Sequence, residues 1–195
     1  YKNGVRFLHN FNYGNNGTVT TTGNNLFLGE NAGNFTMGST ATSPLGASNN
    51  IGIGSASLSS NTTGSNNIAL GYNSLRFNTT GSDNTALGYT SLSSNTTGYN
   101  NTALGYSSLY SNTTGSDNVA LGYNAGRYLA NGSTGNTSPD YSTYLGIATK
   151  SLADNSQNEI VIGYNAIGNG SNSVTLGADT ITKTILKGKV GIGTT

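Results

Sequence analysis

The chain has no cysteine, no tryptophan, one histidine, one methionine and two prolines. Without cysteine it can form neither disulfides nor thiolate metal sites. Charge is scarce as well, at 8% of 195 residues, against roughly 25% in average proteins. A net charge of +1 excludes the basic footprint that binds nucleic acid or an acidic membrane. Lys183, Lys187 and Lys189 form one small cluster, read as a solvated edge. No apolar run approaches the roughly 18 residues of a membrane span, so no membrane insertion is expected. The chain opens at Tyr1 rather than Met, as expected of a fragment or processed product, so a missing secretion signal carries no weight.

Catalytic groupings are missing too. His9 has no marked nucleophile or orienting acid, which a dyad or triad would need. Glu30, Asp83, Asp117, Asp140, Asp154, Glu159 and Asp179 are scattered singly, so paired carboxylates for glycoside hydrolysis would have to come from different coils or chains. Asp83 and Asp117 take a place that Asn66 and Asn100 hold elsewhere. A calcium site wants several carboxylates, so these positions read as turns. Gly52-Ile-Gly54 and Gly191-Ile-Gly193 lack the third glycine and following helix of a dinucleotide fingerprint. The expectation is a non-enzyme with no cofactor and no metal.

What the chain does have is a repeat. Asn67-Ile-Ala-Leu-Gly-Tyr72, Asn84-Thr-Ala-Leu-Gly-Tyr89, Asn101-Thr-Ala-Leu-Gly-Tyr106 and Asn118-Val-Ala-Leu-Gly-Tyr123 recur every 17 residues, preceded by Asn50-Ile-Gly-Ile-Gly54. Asn-Thr-Thr-Gly follows at 61–64, 78–81, 95–98 and 112–115. A fixed short period means one unit stacked on copies of itself, and apolar residues in register argue against disorder despite the Asn, Ser, Thr and Gly content. Leu-Gly or Ile-Gly pairs beginning at 28, 53, 70, 87, 104, 121, 145, 162, 176 and 192 mark ten candidate coils, rising roughly 48 Å at about 4.8 Å each. Two longer steps require inserted loops, expected near 37–45 and 129–141, where Pro44 and Pro139 lie. Residues 1–24 form an irregular leader with a short strand at Val19–Thr22, and 25–195 the repeat region.

Side chains alternate along a strand, so Ile68, Leu70 and Tyr72 share one face and Ala69 and Gly71 the other. A second short strand is expected at Ser74-Leu75, Ser91-Leu92 and Ser108-Leu109. Asn-Thr-Thr-Gly should turn the chain, its glycine supplying a positive φ. Leu70, Leu87, Leu104, Leu121, Gly71, Gly88, Gly105 and Gly122 are the structural repeat positions, and Asn61, Asn78, Asn95 and Asn112 should form a hydrogen-bonded ladder. Those asparagines also begin Asn-x-Thr acceptor motifs, set aside as incidental. Tyr72, Tyr89, Tyr106 and Tyr123 should stack, either as a packing ladder or as a strip for sugar rings. The candidate ligand surface is Tyr99, Tyr110, Tyr128, Thr79, Thr96 and Thr113; regular Thr arrays on flat solenoids resemble ice-binding surfaces. So thin a coil interior does not offset backbone ordering, roughly 1–2 kcal/mol per residue, and self-association is the remedy.

Asn84-Thr-Ala-Leu-Gly, Asn118-Val-Ala-Leu-Gly and above all Asn172-Ser-Val-Thr-Leu-Gly177 resemble the head repeats of trimeric autotransporter adhesins. The longer form with Asn-Thr-Thr-Gly looks like repeats of large surface proteins and phage tail-fibre-like proteins. Lys187-Gly-Lys-Val-Gly-Ile-Gly-Thr-Thr195 is similar to segments that precede an intramolecular chaperone domain in tail fibres. The resemblance covers about residues 25–195, without the membrane anchor or coiled-coil stalk of an autotransporter. It implies a left-handed parallel β-roll, three chains about one axis, and an extracellular place on a phage tail or bacterial surface. The expectation is therefore an all-β parallel β-solenoid with ~17-residue coils in a homotrimeric fibre. It would act as a structural fibre or adhesin segment that presents contacts to a host glycan or protein. An ice- or carbohydrate-binding solenoid module is the alternative.

Overall fold

The computed structural model describes residues 17–19 and 21–183, and the backbone of residues 8–9. Its strands are β1 (Leu8–His9), β2 (Leu26–Leu28), β3 (Ile51–Ile53), β4 (Ile68–Leu70), β5 (Thr85–Leu87), β6 (Thr102–Leu104), β7 (Val119–Leu121), β8 (Tyr128–Leu129), β9 (Thr143–Leu145), β10 (Lys150–Ser151), β11 (Glu159–Ile162) and β12 (Ser173–Leu176). No helix occurs among the described residues. Ten strands form one sheet in the order β1-β2-β3-β4-β5-β6-β7-β9-β11-β12. Every pairing in it is parallel except that of β1 with β2. The register is in phase: Ala69 faces Ala86, Ala86 faces Ala103, and Ala103 faces Ala120. The molecule is a parallel β-solenoid with ~17-residue coils across the regular stretch. Nine of the ten Leu-Gly or Ile-Gly pairs close a strand of the sheet; Ile192-Gly193 lies outside the described residues.

Each strand stops where it does because of its glycine. Gly88 has φ +140°, a value that excludes most side chains. A Cβ built there would lie 2.4 Å from the carbonyl oxygen of Gly105, one coil along. The corner is thus tight in its dihedrals and in its stacking.

The interior of a coil is two side chains wide. The central residue of each strand points in: Phe27, Ala69, Ala86, Ala103, Ala120, Tyr144 and Val161 are fully buried. Facing them are Leu58, Leu75, Leu92 and Leu109, also fully buried. These leucines do not come from a second strand, contrary to the expectation for Ser74-Leu75, Ser91-Leu92 and Ser108-Leu109. Both members of each pair are buried, whereas a strand sends neighbouring side chains to opposite sides. The backbone achieves this by entering the left-handed region at the leucine, with φ of 47–52°. The Ser74 hydroxyl donates to the Ala86 carbonyl at 3.0 Å.

Two buried asparagine ladders run along the stack. One comprises Asn25, Asn50, Asn67, Asn84, Asn101 and Asn118, just before the strands. Asn67 Oδ1 accepts the backbone N–H and Nδ2 of Asn84, both at 3.1 Å, and Asn84 Nδ2 also donates to the Gly98 carbonyl at 2.9 Å. The other joins Asn61, Asn78, Asn95 and Asn112 by Nδ2–Oδ1 bonds of 2.8–3.0 Å. It opens on Met37, whose sulfur accepts Asn61 Nδ2 at 3.1 Å. The glycines that end Asn-Thr-Thr-Gly do not supply a positive φ, contrary to expectation. They are needed for space: a Cβ on Gly81 would lie 2.3 Å from the Gly98 carbonyl oxygen and 2.4 Å from Asn78 Oδ1.

Pairing of Gly38 with Thr62 and of Ala47 with Thr63 loops out residues 39–46. The second insertion, 129–135, folds back on itself through a bridge between Tyr128 and Gly135, while β8 pairs with β10 in a small separate sheet. In the leader, residues 19, 21 and 22 form no strand.

Candidate functional site

A coil presents three outer surfaces. The first is the outward side of the ten-stranded sheet. Here stand the repeat leucines: Leu87, Leu104, Leu121 and Leu145 are about 40% exposed, and Leu70 is partly exposed. Beside them run Ile51, Ile68, Thr85, Thr102, Val119 and Thr143 in register. The strip carries no charge through these rungs. Next to it, past the glycine corner of Gly71, Gly88, Gly105 and Gly122, Tyr72, Tyr89, Tyr106 and Tyr123 stack with ring centroids 5.0–5.1 Å apart and planes within 4–19° of parallel. Each ring covers its neighbour's face. A sugar needs a free aromatic face, whereas this ladder offers ring edges and hydroxyls along its length.

The second surface follows the buried Ser-Leu pair. It carries Arg76 and Phe77, then Ser94 beside the buried Ser93, Tyr110 and Ser111, and Arg127 and Tyr128 in successive coils, with Lys150 beside Tyr128. The guanidinium carbon of Arg127 lies 4.4 Å from the Tyr110 ring centroid and 4.7 Å from that of Tyr128. Arg76 lies 4.8 Å from that of Phe77. Tyr110 and Tyr128 therefore converge on one cation. Tyr99 does not join them: its N–H donates to the Ser116 hydroxyl, placing it on the third surface.

That third surface is the Asn-Thr-Thr-Gly side. Thr79, Thr96 and Thr113 do not hold out free hydroxyls. Each Oγ1 donates to the threonine carbonyl of the next coil, at 2.9–3.0 Å. At its far corner Asn66, Asp83, Asn100 and Asp117 are all left-handed, with φ of 53–59°. Asn66 Nδ2 donates to Asp83 Oδ1 and Asn100 Nδ2 to Asp117 Oδ1, both at 3.0 Å. No group of three or more metal-ligating side chains occurs among the described residues, and no helix there is long and apolar enough to cross a membrane.

The regular interior fails at one place. Asn136 occupies the next rung of the second ladder, but its Nδ2 turns to the Tyr144 hydroxyl at 3.2 Å, leaving Asn112 Oδ1 and Asn136 Oδ1 buried without partners. Asn136-Thr-Ser-Pro139 is a degenerate fifth Asn-Thr-Thr-Gly that the sequence reading missed; Asn136 and Thr137 were its only signal. The other ladder ends through Ser142 at Glu159, which is buried and accepts the Ser151 hydroxyl at 2.6 Å and the Gly170 N–H at 2.9 Å. Burial first, then the nearby Glu159 carboxylate, pushes the Tyr144 phenol up to about 12. Partial burial of Asp154 acts to raise its pKa, but donors from Thr137 and Ser138 at 2.5–3.0 Å together hold it below the usual carboxylate range. A shallow cleft of about 330 Å³ near Tyr164 and Asp179 holds one carboxylate and no histidine.

Comparison with known proteins finds no matching family model, no matching curated protein and no matching solved structure.

Proposed function

We propose that this chain is a structural segment of a homotrimeric surface fibre, on a phage tail or a bacterial cell, that holds host-contacting side surfaces away from the particle or cell. The observation that carries the reading is the uncharged apolar strip along the outward side of the sheet, with Leu87, Leu104, Leu121 and Leu145 about 40% exposed in a single chain. Contiguous apolar strips of this kind mark protein–protein contacts. Because every coil repeats the strip in phase, copies of the chain can meet along their whole length about an axis parallel to the stack. The number three follows from the resemblance to trimeric adhesin heads. The two inner ladders make the coil stiff along that axis, which suits a spacer that catalyses nothing.

Light scattering tests this directly. The expected mass is three times 19.9 kDa, and Leu87→Glu with Leu104→Glu should return it to a single chain. A wild-type protein that stays at 19.9 kDa at every accessible concentration would overturn the reading. The adjoining coding sequence separates the two settings: a β-barrel anchor assigns a cell surface, a chaperone domain a tail fibre.

A further inference from the structure

We infer that the surface bearing Arg76, Phe77, Tyr110, Arg127, Tyr128 and Lys150 binds an acidic polysaccharide, with Arg127 taking a sugar carboxylate. In a chain so poor in charge, the placing of cations is informative. Arg76, Arg127, Lys150 and Lys183 are the cations among the described residues, and three of the four stand on this one surface. The acids lie elsewhere: Glu30 in the column of Tyr72, Asp83 and Asp117 at the far corner, Asp140 accepting from Ser116, Asp179 in the cleft by Tyr164, Glu159 inside the coil, and Asp154 held by Thr137 and Ser138.

Arg127 is the best-formed element. Its guanidinium lies over the rings of Tyr110 and Tyr128, and Nη1 donates to Asn124 Oδ1 at 3.1 Å. Nε is buried and has no hydrogen-bond partner. The planar fork is thus oriented by two aromatic contacts and one hydrogen bond; Nε is covered by the protein, so a ligand meets the guanidinium at its Nη end, and a carboxylate is the group that pairs with a guanidinium in bidentate fashion. Between this post and the Arg76–Phe77 pair the surface is floored by Ser94 and Ser111. The two arginines are three coils apart, about 14 Å along the axis. Aromatic rings, hydroxyls and widely spaced cations suit a linear chain of sugar rings with spaced carboxylates. Nucleic acid is a poorer match, since its tight binding draws on roughly 6–10 phosphate contacts.

The inference rests on the fibre reading for its avidity, since a trimer repeats the weak site three times per molecule. The experiment is affinity electrophoresis of the full chain in gels cast with polygalacturonate, its fully methyl-esterified form, or poly-dT, alongside the light-scattering mass. Polygalacturonate should retard the wild type in a salt-sensitive manner, and the esterified polymer and poly-dT should not. Arg127→Gln should weaken binding about tenfold or more. Arg127→Lys should lose most of it as well, because an ammonium cannot reproduce the fork. Arg76→Gln, remote from the 129–135 insertion, gives a second variant that should bind more weakly if Arg127→Gln fails to fold. Equal retardation by acidic and esterified polymer, stronger retention by poly-dT, or full binding by folded Arg127→Gln and Arg76→Gln would overturn the inference. A trimer without binding removes this inference alone; a lone subunit that binds removes the fibre reading instead.

Discussion

The hydroxyl of Thr79 donates to the carbonyl oxygen of Thr96 at 3.0 Å. The same bond joins Thr96 to Thr113 at 2.9 Å. A regular threonine array is therefore turned onto its own backbone, and its donors are occupied by the next coil. The wild-type chain should leave growing ice crystals unshaped. Thr96→Val should destabilise the fold by about 0.5–1.5 kcal/mol, read from a thermal melt. Faceted ice with the wild type, lost in Thr79→Val, Thr96→Val and Thr113→Val, would show that the hydroxyls face water.

Asn84 accepts two hydrogen bonds from Asn101 and donates to Asn67 Oδ1 and the Gly98 carbonyl. Asn84→Ala removes all four in a fully buried site. Stranded donors and acceptors cost about 1–3 kcal/mol each, so this single change should abolish folding or lower the melting temperature by well over ten degrees for a domain of this size. The exposed Thr97→Ala should stay within about 0.5 kcal/mol. Similar melts for the two variants would mean the ladder is ornamental.

Leu87 and Leu92 are five residues apart and play opposite parts. Leu92 is fully buried, while Leu87 is about 40% exposed. Leu92→Ala should cost about 2–5 kcal/mol in any assembly state. Leu87→Ala should barely change the stability of a dissociated chain, yet weaken association. Denaturation and sedimentation of both variants at several protein concentrations separate the two effects. A concentration-independent loss of equal size for both would remove Leu87 from the seam.

How far this was legible in the sequence follows from the same two leucines. The Leu-Gly spacing gave the rungs, since glycine alone tolerates Gly88's φ of +140° beneath the Gly105 carbonyl. Alternation separated Leu87 from Ala86 but not inside from outside, because either small or large residues can fill a coil of this girth. Ser91-Leu92 misled for another reason. Left-handed leucine is rare, so nothing local announced that both residues would turn inward. The Asn61–Asn112 ladder was readable from its motif, whereas Asn67–Asn118, the first residues of the strand repeat, give no local sign of burial. Nothing local singles out Arg127: Tyr128 is its chain neighbour, but Tyr110 meets it only across coils.

Gly88→Ala should be far worse than an ordinary strand substitution. The new Cβ meets backbone at 2.4 Å and keeps a positive φ. Neither neighbour can yield without shifting a whole rung. The expected outcome is loss of the cooperative transition in far-ultraviolet circular dichroism. A variant that melts within a few degrees of wild type would mean the coils are not stacked in register at this corner.

Alkaline stability should depend on Tyr144. Its phenol titrates at about 12 in the folded chain against 10.0 ordinarily, so the folded state prefers the protonated form. That contribution is complete below pH 10 and is lost as pH rises from 10 through about 12. The span corresponds to on the order of 2–3 kcal/mol. Tyr144→Phe should flatten this part of the stability curve, although it also deprives Asn136 Nδ2 of an acceptor and so lowers the plateau. At the acid end the sign reverses. Asp154 is held below the carboxylate range, so its contribution is present above the ordinary carboxylate pKa and disappears as pH falls through the depressed value. Chemical denaturation of wild type, Tyr144→Phe and Asp154→Asn across pH decides both. A Tyr144→Phe curve parallel to wild type between pH 10 and 12 would place the phenol in water, and with it would go the enclosed network of Asn136, Tyr144 and Glu159.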